Sequence, residues 1–256
     1  MFAEERIEKI IELLKLEGKV TVKALSEKFN VSESMIRKDL AKIEGLENIK
    51  RTYGGAILER KIVKEGRLIT RVVSNIKEKD DISDIAIENI DDNDVIFLDI
   101  STTNNMIANK LINSKKNLTV ITNMNRIVLE FDNIQNINVI QIGGIYNKRL
   151  GGTVGSASIE EIKKIKVDKA FIGVGGINIF ENFISNFDLD EALTKKEIIK
   201  ASKKTYILVE NEKFYKDASY KFAGLEDIDS VITNMKPSND IIKKIKEYEL
   251  EILYKN

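Results

Sequence analysis

Two short stretches carry residue types at spacings that suit chemistry. In "VSESMIRKDL", residues 31–40, a serine opens an amphipathic run and Arg37 and Lys38 follow side by side. Cations on one face of a short helix suit hydrogen bonding to the base edges and phosphates of DNA. In "DISTTN", residues 99–104, Asp99 ends an apolar run and Ser101, Thr102 and Thr103 begin the next segment. Hydroxyls and free backbone N–H groups at a helix N-terminus hold an anion, and phosphate suits them best. Ordinary helix capping is the alternative.

What the chain lacks narrows the field. Its 256 residues include no cysteine and no histidine. Disulfides, thiolate nucleophiles, Ser-His-Asp catalysis and zinc-hydrolase chemistry are therefore excluded, and neither a metal site nor a cofactor is expected. No apolar run approaches the ~20 residues that span a bilayer, so no membrane partner is expected. The start, "MFAEERIEKI", is charged from residue 4 and lacks the apolar core of a secretory signal, which makes the cytoplasm the expected location. Formal net charge is zero, so nucleic-acid binding must rest on a local patch. Such a patch exists: from Lys50 to Arg71, seven cations (Lys50, Arg51, Arg60, Lys61, Lys64, Arg67, Arg71) face two anions (Glu59, Glu65). On charge alone this tract also suits a solvated linker.

The elements that position Arg37 and Lys38 follow from periodicity. Ile7, Ile10, Ile11 and Leu14 mark one face of a helix that Gly18 is placed to end. Thr21 can cap a second helix with Val22, Leu25 and Phe29 on one face, and "NVS" turns into a third capped by Ser32. There Ile36, Leu40 and Ile43 point inward, which forces Ser34, Arg37, Lys38 and Ala41 outward. Three short helices in this order form a helix-turn-helix whose last helix enters the major groove. "NIKRTYGGAIL" reads as a hairpin wing, Asn48 to Thr52 pairing with Ala56 to Leu58, with Gly54 and Gly55 expected at positive φ in the turn. A small helical cap with solvated charges is the bland alternative. This stretch resembles the DNA-binding domain of the DeoR family of bacterial transcriptional regulators, through Val31, Ser32, Ile36, Arg37, Lys38, Asp39, Leu40, Arg51, Gly54, Gly55 and Ala56. Tyr53 stands where that family usually has histidine. The expected DNA contacts are Ser32, Ser34, Arg37, Lys38, Arg51, Tyr53 and Gly54.

Beyond a connecting segment, the pattern becomes short apolar runs alternating with helical stretches: "DVIFLD", "LTVIT", "INVIQIG", "KAFIGVG", "TYILVE" and "SVIT". Near-continuous Val, Ile, Leu and Phe indicates parallel strands buried on both faces, hence an α/β domain with ligands outside the carboxyl ends of the strands. "GVGGIN" fails the dinucleotide glycine spacing, and no P-loop motif occurs. The tract from Arg71 to Asn234 also resembles the DeoR-family sensor domain, related in fold to ribose-5-phosphate isomerase. The match runs through Arg71, Glu78, Lys79, Asp99, Thr102, Thr103, Thr122, Asn123, Gly143, Gly144, Gly155, Asp168, Gly173, Gly176, Glu191, Lys195 and Lys213. Three positions depart from the family: Ser101 replaces a glycine, Phe183 another, and Glu210 an aspartate.

The resemblance implies a winged helix-turn-helix over residues 1–58, a linker over 59–78 and a mostly parallel α/β sensor domain over 79–256. It implies a transcriptional regulator, most often a repressor, that binds double-stranded operator DNA under control of a phosphorylated sugar. The expected ligand contacts are Asp99, Ser101, Thr102, Thr103, Asn123, Gly143, Gly144, Lys195 and Lys213. Ser101, Thr102 and Thr103 would hold the phosphate, Lys195 and Lys213 would supply opposing charge, and Asp99 would take a sugar hydroxyl. The competing reading is a sugar-phosphate isomerase with an appended DNA-binding domain, Asp99, Glu210 and Lys195 being its acid/base candidates. No catalytic residue is expected on the regulator reading. A single small helix-turn-helix rarely gives enough specificity, so a homodimer or homotetramer is expected.

Overall fold

Helix α1 (Ala3–Glu17) buries Ile10 and Leu14 and stops at Gly18, whose φ of 70° lets its N–H reach Leu14 O at 2.8 Å. These elements belong to a computed structural model that describes residues 2–62 and 68–255. Strand β1 (Lys19–Thr21) leads into α2 (Val22–Phe29), capped by the Thr21 hydroxyl, and α3 (Glu33–Ile43), capped by that of Ser32. Ile36, Leu40 and Ile43 join Ile10, Leu14 and Leu25 in one small core, as their spacing requires. Strands β2 (Ile49–Thr52) and β3 (Gly55–Leu58) make the wing, and β1 adds a third strand beside β3 that periodicity does not reveal. The turn needs no positive φ at Gly54 or Gly55, contrary to expectation. Gly55 is required for a different reason: a Cβ there would lie 1.9 Å from Val20 O on β1. The third strand thus explains the second glycine.

Strand β4 (Lys61–Ile62) precedes α4 (Leu68–Val73) and α5 (Ile76–Glu88). Then come β5 (Val95–Leu98), α6 (Thr102–Leu111), β6 (Leu118–Thr122), α7 (Asn125–Glu130) and β7 (Ile137–Gln141). A hairpin of β8 (Ile145–Asn147) and β9 (Gly152–Val154) leads to α8 (Ser156–Ile162) and β10 (Val167–Gly173). Strands β11 (Gly176–Asn178) and β12 (Phe183–Asn186), α9 (Leu189–Lys200) and β13 (Ser202–Val209) follow. The chain closes with β14 (Lys216–Asp217), β15 (Tyr220–Ala223), β16 (Ser230–Thr233), α10 (Asn239–Glu247) and β17 (Glu251–Tyr254).

Seven of these strands form one sheet in the order β17-β16-β13-β10-β5-β6-β7, and every neighbouring pair in it is parallel. The six apolar runs of the sequence supply six of them; β17, half-exposed at an edge, gave no such run. Two apolar clusters, one on each face, bury the sheet between helices, which is why its strands read as nearly unbroken apolar runs. The strand order reverses direction between β5 and β10, where the loops after both strands part and leave a crevice.

Candidate functional site

The first candidate surface is the outer face of α3. Ser34, Arg37, Lys38 and Ala41 are all exposed there, while Ile36, Asp39 and Leu40 are buried. Asp39 takes a bidentate contact from Arg6 of α1, Nε to Oδ2 at 2.6 Å and Nη2 to Oδ1 at 3.2 Å, so one side of α3 is fastened to the unit's core. That fastening aims the opposite side outward. Among the described residues Arg37 is bound only to Glu33, one turn back, at 2.5 Å, and both side chains are about half exposed. On the wing, Arg51 lies 3.6 Å from Glu44, and Tyr53 at the tip is fully exposed.

The cationic tract divides. Lys50 stays outside with Glu59 at 3.0 Å. Arg60 turns into the α/β unit, where it pairs with Asp217 and donates to the carbonyls of Phe214, Ile177 and Lys216. Arg71 lines a cavity of that unit. Lys64 and Arg67 lie outside the described residues, as does the Lys61 side chain.

That cavity is the second candidate site, with a volume of about 340 Å³. It opens where the sheet reverses order, between the loops after β5 and β10. Ser101, Thr102 and Thr103 at the start of α6 form one wall, with the Ser101 hydroxyl capping the helix by accepting the Asn104 N–H at 3.0 Å. Lys79 of α5, together with Lys213 and Lys216, brings cations to the same space. Lys213 belongs to a 3-10 turn, Asn211–Tyr215, that Glu210 precedes and Lys216 follows, both in extended backbone. Glu210 is buried and meets Lys213 at 2.9 Å and Asn75 Nδ2 at 2.5 Å. Burial alone would raise its carboxyl pKa, but the charges of Lys213 and Lys79 and the Asn75 bond outweigh it and hold it below the usual carboxylate range. For Lys79 burial dominates over Glu210 and lowers the ammonium pKa.

Asp99 and Lys195, both expected ligand contacts, are not among the residues that line the cavity. Asp99 Oδ1 accepts from Asn104 Nδ2 at 2.7 Å and from the Gly173 N–H at 3.1 Å, while Oδ2 faces the Lys195 ammonium. Lys195 also meets Glu191 Oε1 at 3.2 Å, and all three side chains are at most 3% exposed. Burial would depress the Lys195 pKa; the two carboxylates overcome it and keep the ammonium above its ordinary value. Glu191 lines the cavity and Lys195, one turn on along α9, stands behind it. Asn123 is buried too, its amide donating to Thr153 O at 2.9 Å. Gly143 and Gly144 pack against Glu161 and Ser158 instead of the cavity. Of the nine expected contacts the cavity thus gathers Ser101, Thr102, Thr103 and Lys213. Asn75, Asn186, Phe187, Glu212 and Lys216 join them without having stood out in the sequence. The lysine at i+3 from Lys213 was the one available signal.

A family model described as the DeoR C terminal sensor domain matches residues 74–235, and one described as a DeoR-like helix-turn-helix domain matches residues 6–61. The HTH-type transcriptional repressor GlcR of Bacillus subtilis is 31% identical over 99% of this chain and 96% of its own length. The HTH-type transcriptional regulator GolR of Listeria innocua is 32% identical over 98% of both. The glycerol-3-phosphate regulon repressor of Escherichia coli is 29% identical over 95% of both. Among solved structures, ribose 5-phosphate isomerase A of Methanocaldococcus jannaschii is 16% identical over 55% of each chain, with a TM-score of 0.41.

Proposed function

The chain belongs to the DeoR family of transcriptional regulators, and from that premise we propose that it represses sugar-metabolism genes and that a phosphorylated sugar in the cavity sets its affinity for operator DNA. The division of labour is a winged helix-turn-helix over residues 1–58, a connection over 59–78 and a sensor over 79–256. Ser34, Arg37 and Lys38 read base edges and phosphates from α3, with Ser32 at its start, and Arg51, Tyr53 and Gly54 of the wing add backbone contacts. Two half-sites read by a homodimer or homotetramer would supply the specificity one such unit lacks. No described helix is long and apolar enough to cross a membrane, and action on a bacterial operator places the protein in the cytoplasm.

One observation carries the effector reading. The start of α6, with its hydroxyls and free N–H groups, shares a cavity with Lys79, Lys213 and Lys216, while Glu191, Glu210 and Glu212 line the same space. A phosphate dianion suits the first set and hydroxyls suit the second. The isomerase reading is the weaker one: of its acid/base candidates, Asp99 has both oxygens committed to Asn104, Gly173 and Lys195 and is wholly buried, Lys195 is buried between Asp99 and Glu191, and Glu210, which does line the cavity, is already paired with Lys213 and Asn75. A general base must come within hydrogen-bond reach of substrate. The test is fluorescence anisotropy of the DNA upstream of the protein's own gene, titrated with the protein in the presence of ribose 5-phosphate, glucose 6-phosphate, fructose 1-phosphate or glycerol 3-phosphate. At least one phosphate ester shifts the midpoint and its unphosphorylated parent does not. Equal shifts by ester and parent refute the phosphate assignment.

A further inference from the structure

The segment from Glu210 to Asp217 touches both functional regions. It builds part of the cavity: Glu210, Glu212, Lys213 and Lys216 all line it. Its second half holds the DNA-binding unit. The Tyr215 hydroxyl donates to Leu16 O at 2.9 Å, one of the carbonyls that α1 leaves free at its C-terminus. The Tyr215 ring lies so close to the chain reversal after α1 that a Cβ on Gly18 would come within 2.2 Å of it. The carbonyls of Phe214 and Lys216 and the Asp217 carboxylate are taken by Arg60, directly after the wing, and β14 pairs with β4. Asn75, Glu210 and Glu212 also line a second cleft, whose other wall is α1 and α2 with Leu13, Leu16 and Phe29. One wall therefore separates the cavity from the back of the helix-turn-helix.

We propose that this segment is the coupling element, a short strap through which an anion bound by Lys213 and Lys216 alters the seating of α1 and the wing. The inference rests on the effector reading above. The physical step is a competition. Lys213 is bound to Glu210 and Lys216 to Glu212, at 2.9 and 2.8 Å, and a phosphate dianion in the cavity draws both lysines from those carboxylates. A 3-10 turn only five residues long has no slack to absorb such a move. The move passes to Tyr215 and to the carbonyls held by Arg60, and so to the two ends of the DNA-binding unit. A ligand can shift this balance only by its differential affinity for the two arrangements, and by linkage operator DNA must change ligand affinity by the same factor.

The experiment measures operator affinity with and without the active phosphate ester, by anisotropy, for the wild type, Tyr215→Phe and Arg60→Met. Tyr215→Phe keeps the ring against Gly18 and removes only the hydroxyl, with its bond to Leu16 O and its longer contact to Ser238 Oγ at 3.4 Å. Isothermal titration supplies ester affinity for each protein. Allosteric coupling factors typically run from about 5- to 150-fold. The expected result is a coupling factor reduced at least about threefold in each variant, with ester affinity unchanged. Wild-type coupling retained in full by both variants overturns the strap and leaves the effector reading standing. A wild type whose operator affinity ignores every ester overturns the effector reading, and the strap with it.

Discussion

Arg37 and Lys195 are each paired with a glutamate one helical turn back, Arg37 with Glu33 at 2.5 Å and Lys195 with Glu191 at 3.2 Å. The spacing in sequence is the same. The side chains of the first pair are 55% and 47% exposed, and those of the second 2% and 3%. An exposed i,i+4 pair contributes about 0.3–0.5 kcal/mol and exchanges readily for another partner, such as a phosphate. A buried pair is held by the cost of stranding its other half, and it positions whatever lies above it. Here that is the cavity wall. The first cation is exposed to solvent; the second lies buried behind the cavity wall.

The largest effect follows from the buried member. Lys195→Met leaves Asp99 and Glu191 without their cation and should cost about 3–5 kcal/mol of unfolding free energy, whereas Arg37→Met should stay within about 0.5. Urea unfolding followed by circular dichroism measures both. Equal, small losses would erase the contrast. The pH dependence has a sign. The Lys195 pKa is raised on folding, so its contribution is fully present below the unfolded value of about 10.4 and is lost as pH climbs through the folded one.

Thr102→Val tests the other side of the same wall. Thr102 is half-buried at the start of α6 and lines the cavity. An effector at a hundred times its dissociation constant stabilises the wild type by about 2.7 kcal/mol. The valine variant should melt at a similar temperature without ester and lose that increment with it, in a thermal-shift assay. An increment that survives would move the phosphate away from α6.

How much of this was legible in the sequence depends on where a signal is local. Helix faces, the caps at Thr21 and Ser32 and six of the seven sheet strands follow from period, capping chemistry and apolar runs, all properties of neighbouring residues. The third strand of the wing was not legible, because "KVT" is too short for a period and its pairing with β3 is fixed by Gly55, far along the chain. The cavity was half legible. Ser101, Thr102 and Thr103 announce themselves as a strand-to-helix junction, but nothing local distinguishes Lys213, which lines the cavity, from Lys195, which lies beneath it. Arg60 teaches the same point, since a count of charges placed it with the DNA-facing tract and the fold turned it inward.

Next in size is Arg37→Ala. Among the described residues its side chain meets only Glu33, so the change leaves the fold intact, and removing a bidentate base or phosphate interaction from the centre of α3 should cost roughly 1–3 kcal/mol of operator affinity. Gel shifts at fixed salt measure it. Unchanged binding would take this helix out of the groove and dissolve the distinction between an available cation and a supporting one.

The smallest effect separates Arg51 from Arg60, both in one cationic tract. Arg51 sits on the outer edge of the wing, loosely opposite Glu44 at 3.6 Å, where a phosphate can replace the carboxylate. Arg60 is committed to Asp217 and three carbonyls of the sensor unit. Each phosphate neutralised steepens the dependence of log affinity on log salt by about 0.9. Arg51→Ala should therefore make the slope shallower by about 0.9, while Arg60→Met should leave the slope as it is, whatever it does to coupling. Anisotropy titrations over a series of potassium chloride concentrations read both slopes on the same DNA. A shallower slope in Arg60→Met would mean that Arg60 leaves Asp217 when DNA binds, and the tract would then have to be treated as one surface; a slope unchanged in Arg51→Ala would confine the phosphate contacts to α3.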